Sequence, residues 1–597
     1  MFISTRPIFE TKKQDYDKTS FKEMAGDLFT RRIFLYLQGQ SVPQDYIVMD
    51  MVHHNPGEPM TETSFREPAK LAAYGYNGMV INEFKFPQCA LTFDKFDKRI
   101  FPKGSEEREW ALSLQKEIRQ QIRDCHKQGL KCYYFTDIIV LPKRLVELYK
   151  SEICDESGKI SFRKEKTWEI HRLMLRELFN TFPEMDGLVI RTGETYTHNI
   201  PYHMGNGPVD YKKAYDESIQ THIRLMNLLR EEVCVRRNKQ IIYRTWDFGF
   251  FHIRPDYYMA VTEQVPVHPN LYIAIKHTNG DYFRTYPFNK TLTLGKHKQI
   301  VEVQCQREYE GKGAYPNYIA AGVIDGFEEY KGKPTPRCLN DIKTDSLFRG
   351  VWTWSRGGGW SGPFLKNELW CDLNAYVMSK WAQNPSRPEA EIFDEYADKI
   401  GITPETRPYF RRLSLLSADA IIRGRGSLIH KLAATWTRDE IIGGVPRQRS
   451  MFDDIYQKNL VEEALYEKKL ATALWQEIED LAQRVRCSDT ATEHYIRTSA
   501  RYGYLLYAIM EQGWIINLRG YLYETKQYPV DQSAIRLAIE KYDALWKEFR
   551  KFKDRNTDCA TLYFDHLGEY TYGYNAQTGA NGMGDSVDHY RKVFGME

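Results

Sequence analysis

Between residues 45 and 385 one local pattern recurs eight times: a short run of β-branched or aromatic residues, a polar loop, then an amphipathic stretch of helical period. The runs are DYIVMD (45–50), NGMVIN (77–82), LKCYYFTD (130–137), MDGLVIRT (185–192), KQIIYRT (239–245), LYIAIK (271–276), QIVEVQ (299–304) and FRGVWTW (348–354). Strands joined through helices run parallel, and eight such units close into a barrel rather than spread as an open sheet. A dinucleotide-binding sheet would need a Gly-rich turn after the first strand, and MVHHNPGEP lacks the G-x-G-x-x-G spacing. The expected fold class is therefore α/β: a (β/α)8 TIM barrel over residues 45–385, followed by an all-helical C-terminal domain over 386–597. There, stretches such as MFDDIYQKNLVEEALYEKKLATALWQEIEDLAQRV keep helical period, and their Tyr, Trp and Leu positions read as helix-packing core. Residues 1–44 hold one helix candidate, FKEMAGDLFTRRIFLYLQGQ, and read as a lead-in segment packed on the barrel.

Composition narrows the function classes. The 83 Lys and Arg and 80 Asp and Glu leave a net charge of +3 with no block of one sign, so neither nucleic acid nor an acidic membrane surface is an expected partner. No run reaches the ~18 apolar residues of a membrane span, and the start has no basic region leading into an apolar one. The reading is a soluble chain, cytoplasmic, or periplasmic if a signal peptide has been trimmed. The 40 Tyr and 12 Trp lean toward surfaces that stack flat ligands such as sugar rings. The ten cysteines include no Cys-x-x-Cys pair and read as free thiols, with Cys132 and Cys305 as small buried hydrophobes inside strand-like runs. His53 and His54 are adjacent rather than four apart, so no metal is expected, and no organic cofactor either.

In this fold the loops at the C-terminal ends of the strands converge over the barrel mouth, so candidate site residues are those closing each run. They are Asp50 with His53 and His54, Glu83, Asp137, Arg191 with Glu194, Arg244 with Trp246 and Asp247, Lys276 with Asp281, Glu308, and Trp354 with Arg356. Three carboxylates (Glu194, Asp281, Glu308) thus share a rim with three cations (Arg191, Arg244, Lys276), a set suited to acid-base chemistry on an anionic substrate. Inverting glycosidic cleavage needs a protonated carboxyl to donate to the leaving oxygen and a carboxylate roughly 6.5–9.5 Å away to activate water. Arg and Lys are the side chains that bind a uronate carboxylate. Taken singly, each of these residues is equally readable as an ordinary loop or ion-pair residue, with Arg244 neutralising Asp247 and Lys276 neutralising Asp281.

The combination gains weight from a resemblance. MDGLVIRTGETY, IIYRTW, IAIKHTNGDYF, VEVQCQREYEGKG and GGGWSGPFLKNELWCDLNAYVMSKWAQNP occur in this order over about residues 185–385, and they resemble motifs of the family 67 α-glucuronidases. The resemblance implies Glu194 as general acid, Arg244 as a uronate contact, and Lys276 as a substrate lysine. It further implies that Asp281 helps to hold the water and that Glu308 is the second catalytic carboxylate. Arg191 stands where the family has a lysine. Trp360, in the loop after the eighth run, and Trp246 are candidates to stack on a sugar face, whereas Trp381 reads as helix core. The function implied is inverting hydrolysis that removes glucuronic acid or its 4-O-methyl ether from an oligosaccharide such as decorated xylan, by a homodimer. Two other readings stay open: a barrel glycosidase acting on another uronide or a neutral sugar, and a non-catalytic carbohydrate-binding barrel.

Overall fold

The computed structural model describes residues 46–53, 62–83, 85–197, 200–208, 215–247, 249–357, 365–429, 446–556, 558 and 582–596. The lead-in segment 1–44, His54 and Trp360 lie outside the described residues. Ile47–Glu597 makes one compact unit.

All eight apolar runs become strands of one closed barrel. In chain order the strands are β1 (Ile47–Val52), β2 (Gly78–Ile81), β3 (Lys131–Asp137), β4 (Val140–Pro142), β5 (Gly187–Arg191), β6 (His203–Gly205), β7 (Gln240–Arg244), β8 (Leu271–Lys276), β9 (Lys298–Gln304) and β10 (Phe348–Arg356). Around the barrel the order is β1-β10-β9-β8-β7-β5-β3-β2, every pair parallel, while β4 and β6 form a small antiparallel pair at the mouth. The barrel strands are buried along nearly their whole length, as parallel strands covered by helices must be, which is why the runs read as continuous apolar stretches rather than alternating ones.

The intervening helices follow from local signals. Glu106–Lys127 starts at Ser105, whose side chain accepts from the Arg108 N–H, a cap worth about 1 kcal/mol. Acidic Glu106, Glu107 and Glu109 fill its first turn and His126 and Lys127 its last, matching the helix dipole. Ala111, Leu114, Ile118, Ile122 and Cys125 recur at helical spacing and are the residues it buries against the barrel. Close strand approach needs small residues: a Cβ on Gly187 would stand 2.2 Å from the Gln240 carbonyl oxygen on the neighbouring strand.

Beyond residue 386 the described chain is helical: Glu389–Lys399, Arg407–Arg425, Pro446–Gln457, Val461–Arg484, Thr490–Lys526, Gln532–Arg555 and Gly582–Val593. Many of the aromatic residues there are core, among them Trp475, Trp514, Trp546, Tyr502 and Tyr507, and Trp475 stacks on Tyr507 at 5.0 Å, whereas Tyr456, Tyr466 and Tyr523 are exposed. Trp381 is likewise buried, against Phe348. No helix among the described residues is long and apolar enough to cross a membrane, and no described group of three or more His, Cys, Asp or Glu could hold a metal ion.

Candidate active site

Side-chain alternation along the strands fixes what the barrel mouth presents. Met51, Val80, Phe135, Val189, Ile242, Ala274, Ile300 and Trp352 belong to the buried core cluster of the barrel. Two residues further toward the C-terminal end, the same parity delivers His53, Asn82, Asp137, Arg191, Arg244, Lys276, Glu302 and Trp354. The layer above the apolar core is therefore charged along β3, β5, β7, β8 and β9, and neutral or aromatic along β10, β1 and β2.

The charged arc is organised as ion pairs. Arg191 donates from Nε and Nη2 to the two carboxylate oxygens of Asp137, at 2.5 and 2.6 Å, and from Nη1 to Glu194 at 3.0 Å. Asp137 also accepts from the Tyr196 N–H at 2.9 Å, so the turn carrying Glu194 is tied back to the strand below it. The Arg244 Nε donates to both oxygens of Glu302 at 2.9 Å, and the Tyr282 hydroxyl donates to the same carboxylate at 3.1 Å. The Nη2 of Arg244 is buried without a hydrogen-bond partner. Lys276 bonds Asp281 and lies 3.5 Å from the centroid of the Trp246 ring. Asp281 also accepts from the Tyr309 hydroxyl at 2.5 Å and from the Tyr282 N–H at 3.0 Å, and Phe283 stacks on Tyr309 at 4.0 Å. Glu308, buried beside Tyr309, is anchored by its own N–H on the Gln304 side chain at 3.0 Å. Gly193 is required next to Glu194, because a Cβ there would stand 2.8 Å from backbone atoms of Trp246 and Asp247.

Electrostatics drive the carboxyls in opposite directions. Burial raises the Glu194 pKa, and the neighbouring Asp281 charge adds to this, more than Arg191, Arg244 and Lys276 take back. Burial also acts on Asp281, but the Lys276 charge and the hydrogen bonds from Lys276, Tyr309 and the Tyr282 N–H outweigh it and hold Asp281 below the usual carboxylate range. The Tyr309 phenol is pushed up, first by burial, then by Asp281 and Glu308, and Glu194 also acts on it, so one hydroxyl senses all three carboxylates. Paired carboxyls pushed apart in this way have the signature of an acid and a base sharing one site.

The structure gathers Glu194, Arg191, Arg244, Lys276, Asp281 and Trp246 into one cluster, with Glu308 joined to it through Tyr309. The side chain of Glu194 is 19% exposed and that of Asp281 16%, whereas Arg191 and Asp137 are at 0%. Arg191, expected from the sequence to contact substrate, is buried and donates to Glu194 from Nη1. Arg244 pairs with Glu302, not with Asp247, which faces His222 at 3.5 Å and caps the Gly249 N–H. Lys276 does pair with Asp281. Asp50 points away from the axis, bonds Thr353 and Ser355, and is pushed up to about 7 by burial. Glu83 pairs with Arg66, and His53 stacks on Trp354. Glu302 and the role of Asp137 escaped the sequence reading, although counting two residues on from Ile300 and Phe135 locates both on the inward face.

No family model matches the chain, and no curated protein matches it in sequence. Solved structures do. An enzyme of glycoside hydrolase family 138 that targets pectin rhamnogalacturonan II superposes with a TM-score of 0.58 at 11% identity, over 92% of this chain and 84% of that one. An O-GlcNAc hydrolase from Thermobaculum terrenum gives 0.38 at 9% identity over 93% and 94% of the two chains. A chitobiase from Flavobacterium johnsoniae gives 0.32 at 10% identity over 84% and 78%. At such identities the first likeness is one of fold, and it agrees with the closed (β/α)8 barrel followed by helices.

Proposed function

We propose that this chain is a glycoside hydrolase that releases a uronic acid from an oligosaccharide with inversion of configuration. The observation that carries the reading is the pairing, on one barrel rim, of a carboxyl whose pKa is raised, chiefly by burial (Glu194), with one whose pKa is lowered by Lys276 and its hydrogen bonds despite burial (Asp281), beside Lys276 and Arg244. In the reaction, Glu194 gives its proton to the glycosidic oxygen as the bond from that oxygen to the anomeric carbon breaks. A water on the opposite face of the ring attacks that carbon and passes its proton to Glu308, while Asp281 accepts a hydrogen bond from the same water. Lys276 and the unpartnered Nη2 of Arg244 supply cationic donors for the substrate carboxylate. Arg191 acts on the acid, since its charge lies directly under Glu194. Trp246, carrying Lys276 over its ring, forms the wall beside the uronate. The motif likeness to family 67 favours an α-glucuronide. The fold neighbour that targets pectin rhamnogalacturonan II makes a galacturonide the second reading.

The test is a panel of α-glucuronosyl and α-galacturonosyl oligosaccharides beside their neutral glucosyl and galactosyl counterparts. The expected result is sugar release from one uronide only, reduced about 10²- to 10⁴-fold by Glu194→Ala. Equal turnover of the neutral sugars would remove the uronate from the account, and release from none would remove the glycosidase.

A further inference from the structure

The loops that carry Asp281 and Glu308 run outward from the barrel and end on the helical region. In the loop 277–289, Arg284 is 6% exposed and donates to Glu329 at 2.7 and 2.9 Å and to the backbone carbonyl of Ala418, in the helix Arg407–Arg425, at 2.6 Å. Phe283, just before it, is the ring stacked on Tyr309, whose hydroxyl holds Asp281. In the loop 305–318, the Tyr315 hydroxyl meets that of Tyr507 at 3.1 Å, and its ring lies edge-on to Trp475 at 5.4 Å. The Tyr318 N–H donates to Ser417 Oγ at 3.1 Å, and its hydroxyl bonds Glu389, which also takes Arg411.

The stretch between Glu308 and these anchors is short and tied together: the Glu310 and Lys312 N–H groups donate to the Arg307 carbonyl, the Ala314 N–H donates to the Gly311 carbonyl, and Arg307 donates to the Glu310 carboxylate at 2.7 and 3.0 Å. A shift at Tyr315 therefore has a direct route to Glu308. A cavity of about 560 Å³ lined by Arg284, Tyr318, Phe327, Glu389, Arg411 and Leu415 lies alongside the Arg284 and Tyr318 contacts, whereas Tyr315 is packed among Trp475, Tyr502 and Tyr507. Glu194 takes its contacts from Arg191 and Tyr196, both on the barrel.

We propose that the helical region is a positioning element of the active site: through Ala418, Ser417 and Tyr507 it sets where Asp281 and Glu308 hold the attacking water, whereas the hydrogen bonds that hold the acid Glu194 come from the barrel side. This rests on the reaction proposed above. Misplacing a reacting group by about 1 Å can cost a hundredfold in rate, so bonds this far from the chemistry have leverage.

Ser417→Ala and Tyr507→Phe each remove one oxygen from the junction. They are assayed on the uronide oligosaccharide and on a nitrophenyl uronide, whose leaving group departs without a proton, with and without azide, an anion that attacks the anomeric carbon without a base. The expected result is a fall in kcat of about tenfold or more on both substrates with KM within about twofold. Azide should also stimulate the nitrophenyl reaction more than in the wild type, with uronosyl azide as product. That stimulation is a ratio within one sample, so a partly unfolded preparation does not alter it. Unchanged kcat, wild-type azide stimulation, or a loss confined to the oligosaccharide, which would place the damage at Glu194, overturns the proposal. Glu308→Ala separates the two levels. If it remains active, the proposed reaction itself fails; if it is inactive and azide restores it while Ser417→Ala and Tyr507→Phe behave as wild type, only the positioning role fails.

Discussion

Glu194 and the pair Asp281 and Glu308 face the same barrel mouth from different foundations. Glu194 follows β5 by three residues and is held by Arg191, itself locked to Asp137 on the adjacent strand, so its position is set from the barrel, while its pKa is raised first by burial and then by the charge of Asp281. Asp281 and Glu308 sit on longer loops whose far ends bond Ala418, Ser417 and Tyr507 in the helical region. On the reaction proposed above, the difference is a division of labour: the proton donor is held from the sheet through Arg191, and the groups that hold water are braced from outside the barrel.

The largest effect that would break this division is at the carboxyls themselves. Glu308→Ala is expected to lose about 10²- to 10⁴-fold in kcat on both oligosaccharide and nitrophenyl substrates, whereas Glu194→Ala loses that much only on the oligosaccharide. Equal losses for both variants on both substrates would erase the distinction. Next comes the buried support: Glu302→Gln leaves Arg244 charged and unpaired at the barrel core, and should destabilise the fold by about 3–5 kcal/mol, read as the loss in denaturant unfolding. An unchanged midpoint would mean that Arg244 is not held by this pair.

Lys276→Met tests the electrostatics with a defined sign. Lys276 lowers the pKa of both Asp281 and Glu194, so its removal raises both. The falling limb of kcat/KM, set by deprotonation of Glu194, should move to higher pH, and KM for the uronide should rise about 10- to 100-fold. Movement of that limb to lower pH would contradict the assignment. The smallest expected effect is that of Tyr196→Phe, which removes one hydrogen bond to Glu194 and should change kcat by roughly two- to tenfold without altering azide stimulation.

The barrel was legible because parallel strands buried on both faces must be written as continuous apolar runs, and all eight appear in the chain as such. Asp281 beside Lys276 was legible too, since both fall on one short loop after β8. The partners of Arg191 and Arg244 were not: Asp137 and Glu302 lie 54 and 58 residues away in sequence and become neighbours only when the strands assemble into the sheet. Reading Arg244 against the nearby Asp247 failed for the same reason, because parity turns Arg244 inward while Asp247, beyond the strand end, faces His222. The bracing of the Glu308 loop was invisible for a further reason. Ser417 and Tyr507 sit on helices whose apolar period announces only packing, and nothing local marks which hydroxyl reaches the barrel.

The central claim, a proton-donating Glu194 opposed by a water held by Asp281 and Glu308, is tested most directly by proton NMR during hydrolysis of an α-uronosyl oligosaccharide. The account predicts that the β-anomer of the free uronic acid appears first and later equilibrates, and that Glu194→Ala and Glu308→Ala each abolish its release. First appearance of the α-anomer would instead require a covalent intermediate on one of these carboxylates, and would contradict the claim.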